Sequence, residues 1–187
     1  MTPRVVGAAS VGGAGGVDHG QPGFYAPALG PFAAQGSGGL LANRGYLIRV
    51  VCPKGQTISK IGFVVTTAAS VDDACDVGIY DSGGNRLGSA GSTSGRLNST
   101  GAKTVNLTAP VALTQGTVYY AAFAYGAVGG TVASLVVTSV ANSLLFQMFG
   151  GGAPAMEQSF NNAAFPLPAV FGTSGGITSA PILALQQ

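Results

Sequence analysis

The sequence is short of charge. Only 7% of its 187 residues are Asp, Glu, Lys or Arg, against roughly 25% in an ordinary soluble domain. The eight basic residues are scattered and leave a formal net charge of +2. No Lys/Arg run or basic and aromatic stripe is available to neutralise phosphates, which argues against nucleic acid and anionic lipid as partners. Tryptophan is absent, and His19 is the single histidine. It stands between Asp18 and Gly20 in a glycine-rich leader, whereas triad catalysis needs a histidine held rigidly between a nucleophile and an orienting carboxylate. With no nucleophile and base pair and no metal-ligand spacing, the chain is not expected to be an enzyme or to carry a cofactor.

Other devices are missing too. Gly12-Gly13-Ala14-Gly15-Gly16 is glycine-rich but lacks the Lys-Ser/Thr pair of a phosphate loop. Met1 to Val17 alternates Val and Ala with Gly and Ser and forms no continuous apolar signal core, so it reads as a mature cytosolic start. The uncharged run Val118 to Val137 is broken by Gly126, Gly129, Gly130, Thr131 and Ser134; two strands and a glycine turn account for it, and no membrane insertion is expected. Cys52 and Cys75 form no disulfide framework and are expected to be buried free thiols, with a bridge between them as the alternative.

The placement of the charges says more than their number. From Thr104 to Gln187 the only charged side chain is Glu157. A monomer needs charge on its exposed faces for colloidal stability, so contacts with other subunits are the simplest cover for such a half.

What is abundant is glycine, with 31 residues. Residues 1–39 are rich in Gly, Pro and Ala, a composition suited to neither helix nor central strand. Such a leader orders only where neighbouring surfaces hold it. It is therefore expected to be an extended assembly arm, with Phe24, Tyr25, Leu29 and Phe32 as apolar anchors. Residues 40–187 then form the domain. Short runs rich in Val, Ile, Thr and aromatics are separated by Gly, Pro, Asn and Asp clusters, which predicts an all-β fold.

Strands are expected at Tyr46 to Cys52, Ile58 to Thr67, Asp76 to Asp81, Arg86 to Ala90, Lys103 to Leu107, Pro110 to Leu113, Val118 to Tyr125 and Thr131 to Thr138, with a closing strand at Pro181 to Leu185. Gly126 to Gly130 reads as a hairpin loop, Ala164 to Ala169 as a Pro-studded loop and Leu144 to Phe149 as a further apolar run. Antiparallel strands with one apolar face each imply two packed sheets. The expected fold is an antiparallel two-sheet β-sandwich, jelly-roll-like, preceded by the arm; a small closed barrel and a β-prism share the same periodicity.

Two clusters invite a functional reading. Asp72, Asp73, Asp76 and Asp81 hold four of the six acids. The first three are candidate calcium ligands, although their spacing matches no EF-hand loop; the same acids would also keep a strand edge from pairing with strangers. Tyr80, Asp81, Asn85 and Arg86, with Arg96 and Asn98 in the next loop, are the candidate glycan-binding residues: an aromatic beside polar and cationic loop side chains. Every one of these residue types is also ordinary turn chemistry.

The runs Ile58-Ser59-Lys60-Ile61-Gly62-Phe63, Asp76-Val77-Gly78-Ile79-Tyr80-Asp81 with Gly83-Gly84-Asn85-Arg86-Leu87, and Pro110-Val111-Ala112-Leu113-Thr114-Gln115-Gly116-Thr117-Val118-Tyr119-Tyr120-Ala121 resemble the β-sandwich at the ends of bacteriophage tail fibres, minor tail proteins and head fibres. The closing Ser179-Ala180-Pro181-Ile182-Leu183-Ala184-Leu185 is similar to the way such domains finish. The resemblance covers Tyr46 to Leu185 and is one of fold more than of chemistry. It implies a structural virion protein, assembled in the host cytoplasm, often trimeric, contacting capsid or tail subunits and in some cases host-surface glycans. The long shaft of a tail fibre is missing ahead of the domain, so capsid decoration protein, head fibre and tail-tip subunit fit as well. A freestanding carbohydrate-binding module is the alternative.

Overall fold

A computed structural model describes residues 23–26, 35–39, 44–52, 54–71, 74–126, 133–139, 157–160, 165–171, 174–176 and 179–187. Among these residues there is no helix. The strands are β1 (Gly23–Ala26), β2 (Gln35–Gly39), β3 (Arg44–Val51), β4 (Gln56–Thr67), β5 (Ala74–Asp81), β6 (Arg86–Ser89), β7 (Gly101–Leu113), β8 (Val118–Gly126), β9 (Ser134–Ser139), β10 (Glu157–Phe160), β11 (Ser174–Gly176), β12 (Ser179–Pro181) and β13 (Leu183–Gln186).

They form two antiparallel sheets. In the first, β4 pairs with β7 on one side and with β13 and β9 on the other, while β1, β2 and β12 extend it. The second runs β11-β10-β3-β8-β5-β6. The period-2 pattern of the sequence sets which side chains meet between them. Ile61, Phe63 and Val65 of β4 and Val105 and Leu107 of β7 face Ile48 and Val50 of β3, Val77 and Ile79 of β5, and Tyr119, Ala121, Phe123 and Tyr125 of β8 in one buried cluster. The rings of Phe63 and Phe123 meet edge to face across the sheets, centroids 5.1 Å apart. Each large apolar side chain buried there contributes about 1.5–3 kcal/mol. Cys52 and Cys75 are buried and free, as the sequence reading has it.

Chain order alternates between the sheets more than local turn signals suggest. The glycine-rich stretch after β8 was expected to close a hairpin, but β8 lies in the second sheet and β9 in the first, so the connection is a crossover. Glycine frees the backbone to turn without choosing the sheet in which the next strand pairs. The Asp81 to Asn85 loop closes a hairpin, joining β5 to β6. There Gly84 holds φ of 86°, a conformation that a side chain disfavours.

The expected strands at Lys103 to Leu107 and Pro110 to Leu113 are one strand, β7. From Val111 to Asn106 β7 takes five steps where β4 takes two, from Ile58 to Lys60. Pro110, which cannot donate to a ladder, falls in this irregular stretch of an edge strand. There Thr108 Oγ1 donates to Ser89 O at 2.8 Å, tying β7 to β6 and bringing the two sheets together along that side.

Two segments of the leader are described. Gly23–Ala26 pairs with β13 and Gln35–Gly39 with β9, both in the first sheet. Phe24 stands in register with Leu185 and Tyr25 with Ala184. Leu29 and Phe32, and the apolar run at Leu144 to Phe149, lie outside the described residues. No helix of the described residues is long and apolar enough to cross a membrane.

Candidate functional site

The outer face of the second sheet is the most heavily constructed part of the molecule. Alternation along β5 turns Cys75, Val77 and Ile79 into the core between the sheets and sets Asp76, Gly78 and Tyr80 on the opposite face. Residues 165–171, in the connection from β10 to β11, lie across that face. Leu167 packs with Leu47, Tyr80, Ala122 and Ala124, and Phe165, Phe171 and Tyr120 pack around them. Space for this strap is made by small residues: a Cβ on Gly78 would lie 2.9 Å from Leu167 Cδ1, and one on Gly126 2.5 Å from Phe165 Cδ1.

Polar groups of β5, β6 and their hairpin hold the strap by its backbone. Asp76 Oδ2 accepts the Leu167 N–H at 2.9 Å, and Arg86 Nη1 donates to the Leu167 carbonyl. The Tyr80 hydroxyl donates to Pro168 O at 2.7 Å. Arg86 N–H donates to Ala169 O at 2.8 Å, and Phe171 N–H to Gly84 O at 3.1 Å. The Phe171 ring meets Tyr80 and Tyr120 edge to face, with centroids 5.3 and 5.5 Å away. In register, Arg49, Tyr120, Tyr80 and Arg86 form one row across β3, β8, β5 and β6.

Burial decides the electrostatics. Asp76 is 0% exposed, and its Oδ1 has no hydrogen-bond partner. Desolvation pushes its carboxyl above the ordinary range, opposed by the Leu167 N–H, other backbone donors and the Arg86 charge. Burial likewise raises the Tyr80 hydroxyl. The Cys75 thiol is pushed up to about 12 by burial and then by Asp76; it keeps its proton at neutral pH and is no nucleophile. Cys52 is also raised by burial, and its Sγ donates to Lys54 O at 2.9 Å.

The structure separates the residues expected to bind glycan. Tyr80 is 0% exposed with its hydroxyl engaged, so it offers no stacking surface; the expectation for this residue is corrected, because the strap covers the face to which alternation assigns it. Asp81 Oδ1 accepts from Gly83 N–H and Asn85 N–H, each at 2.9 Å, and Oδ2 accepts from Asn85 Nδ2 at 2.9 Å. The Asn85 side-chain bond and then its backbone bond hold the Asp81 carboxyl below its usual range, so both residues serve their own turn. Arg86 is committed to the strap. Arg96 and Asn98 are exposed in a loop whose Thr93 bridges Cys75 at the start of β5, about 20 Å along the strand from Asp81.

Of the calcium candidates, Asp72 and Asp73 lie outside the described residues, and Asp76 spends one oxygen on Leu167. Among the described residues no three His, Cys, Asp or Glu side chains gather as a metal site. The sequence reading missed the pairing of Asp76 and Tyr80 with the strap. A signal for it was present: two polar-tipped side chains at i and i+4 of a strand share a face, and Phe165-Pro166-Leu167-Pro168 is a loop with apolar weight. Compared with protein-family models and with curated proteins, the chain matches none.

Proposed function

We propose that the protein is a non-enzymatic structural component of a bacteriophage particle, exposed on the virion as a capsid decoration, head-fibre or tail-tip subunit and associating with its own copies, as a trimer, and with capsid or tail proteins. The single observation that carries this reading is the lack of charge on the exposed residues of one strand and its turn. On β7 and the turn after it, Thr104, Asn106, Thr108, Ala109, Pro110, Ala112, Thr114, Gln115, Gly116 and Thr117 are all exposed, and none is charged. A surface of this kind is at its most stable against another polypeptide. The all-β sandwich supports the reading only at the level of fold. The competing carbohydrate-binding reading has lost Tyr80, its one aromatic.

Size-exclusion chromatography with light scattering on the purified full chain tests association, with a trimer as the expected species. An antibody raised against the chain should then label phage particles by electron microscopy. A monomer that stays dispersed at millimolar concentration and labels no particle overturns the proposal.

A further inference from the structure

The strap is tied to the sheet by an unusual group. Asp76 is wholly buried, yet only Oδ2 makes a hydrogen bond, from the Leu167 N–H, and Oδ1 makes none, although the Ala90 and Gly91 backbone also favours the charged form. Burial with an unmatched oxygen disfavours the carboxylate relative to the neutral acid in the same place, because the ion loses its hydration. With the strap lifted, water reaches both oxygens and that cost disappears. Closure of the strap and protonation of Asp76 are therefore thermodynamically linked.

We propose that Asp76 makes closure of the 165–171 strap pH-dependent: release of its proton to solvent loosens the strap and uncovers the apolar outer face formed by Leu47, Tyr80, Ala122 and Ala124. The surroundings leave the response to this one residue among the described groups. Arg86, from β6, places its guanidinium on the Leu167 carbonyl. Tyr80, from β5, keeps its proton because burial raises it further. β8 presents Ala122, Ala124 and the Tyr120 phenol, with Arg49 of β3 beside Tyr120 in register, and the strap carries no ionisable side chain. Cys75 points to the other face of β5 and stays a thiol.

The sign follows from the direction of the shift. The folded carboxyl lies above its ordinary 3.8, so closure is fully stabilised below that value and weakens as pH rises to the folded value. Across that window a single linked proton increases opening by up to about tenfold per pH unit, and above it the opening constant levels off.

The experiment uses NMR on the full chain. Amide exchange at Leu167 and Phe171, corrected for the intrinsic pH dependence of exchange, is followed alongside the 13C shift of the Asp76 carboxyl. Opening should rise in step with Asp76 titration and stop rising once that titration is complete. Asp76→Asn should abolish the pH dependence. Tyr80→Phe, which removes a different tie, should raise opening at every pH and leave the slope in place. The proposal is overturned if Asp76 titrates at or below the ordinary carboxylate midpoint, or if the corrected exchange ignores its titration. Should Asp76→Asn not fold, the two midpoints measured in the unaltered chain still decide.

Discussion

The outer faces of the two sheets differ sharply. On the first, β4 alternates: Lys60, Val64 and Thr66 are exposed between buried Ile61, Phe63 and Val65, and Thr104 and Asn106 do the same on neighbouring β7. On the second, β8 is buried almost throughout and β5 holds an unbroken buried run from Cys75 to Tyr80. The strap is the cause of the difference. Composition follows cover: a strand packed on one side alternates, and a strand packed on both reads as a continuous apolar or small-residue run.

That comparison refines what the shortage of charge means. From Thr104 onward Glu157 is the only charged side chain. Within that stretch Tyr119 and Ala121 to Gly126 are buried inside this chain, so their lack of charge needs no partner. What internal packing leaves unexplained is the run of exposed, uncharged residues on β7 and the turn that follows, beside Lys60 of β4, and it is there that the proposed assembly contact is concentrated.

Substitutions can break the comparison, beginning with its foundation. Phe63→Ala empties the contact with Phe123 that both sheets share and should cost about 3–5 kcal/mol in urea unfolding. Gly78→Ala acts on the covered face alone. Its new methyl would sit 2.8 Å from Gly88 O as well as against Leu167, and a loss of about 1–3 kcal/mol is expected by the same measurement. If Gly78→Ala proves neutral, the strap does not pack as described.

Tyr80→Phe removes only the hydroxyl bonded to Pro168 O and should cost about 1 kcal/mol, appearing as faster exchange in the strap with the core amides unchanged. Asn106→Lys sharpens the other side of the comparison. On the open face of the first sheet it should change stability by less than about 0.5 kcal/mol, while light scattering registers a shift from oligomer towards monomer. Unaltered association would place the subunit contact elsewhere.

Much of the sandwich was legible from alternation. Val105 and Leu107, Val77 and Ile79, and the division of β8 into Tyr119, Ala121, Phe123 and Tyr125 on one face and Tyr120, Ala122 and Ala124 on the other all follow from a period of two. The site was less so. Tyr80, Asp81, Asn85 and Arg86 are neighbours in the chain and look like one polar surface, yet Tyr80 belongs to a covered strand face, while Asp81 and Asn85 close a turn.

By itself the sequence determined the core strands β3, β4, β5 and β8, their inner faces and the turn at Asp81 to Asn85, because each depends on periodicity, turn chemistry or residue type over a few positions. Only the tertiary structure decided that β8 and β9 belong to different sheets, that parts of the leader pair with β13 and β9, and that residues 165–171 cover Asp76 and Tyr80. Those outcomes depend on which distant backbone groups find each other, and a hydrogen-bonding peptide unit is the same whatever its side chain.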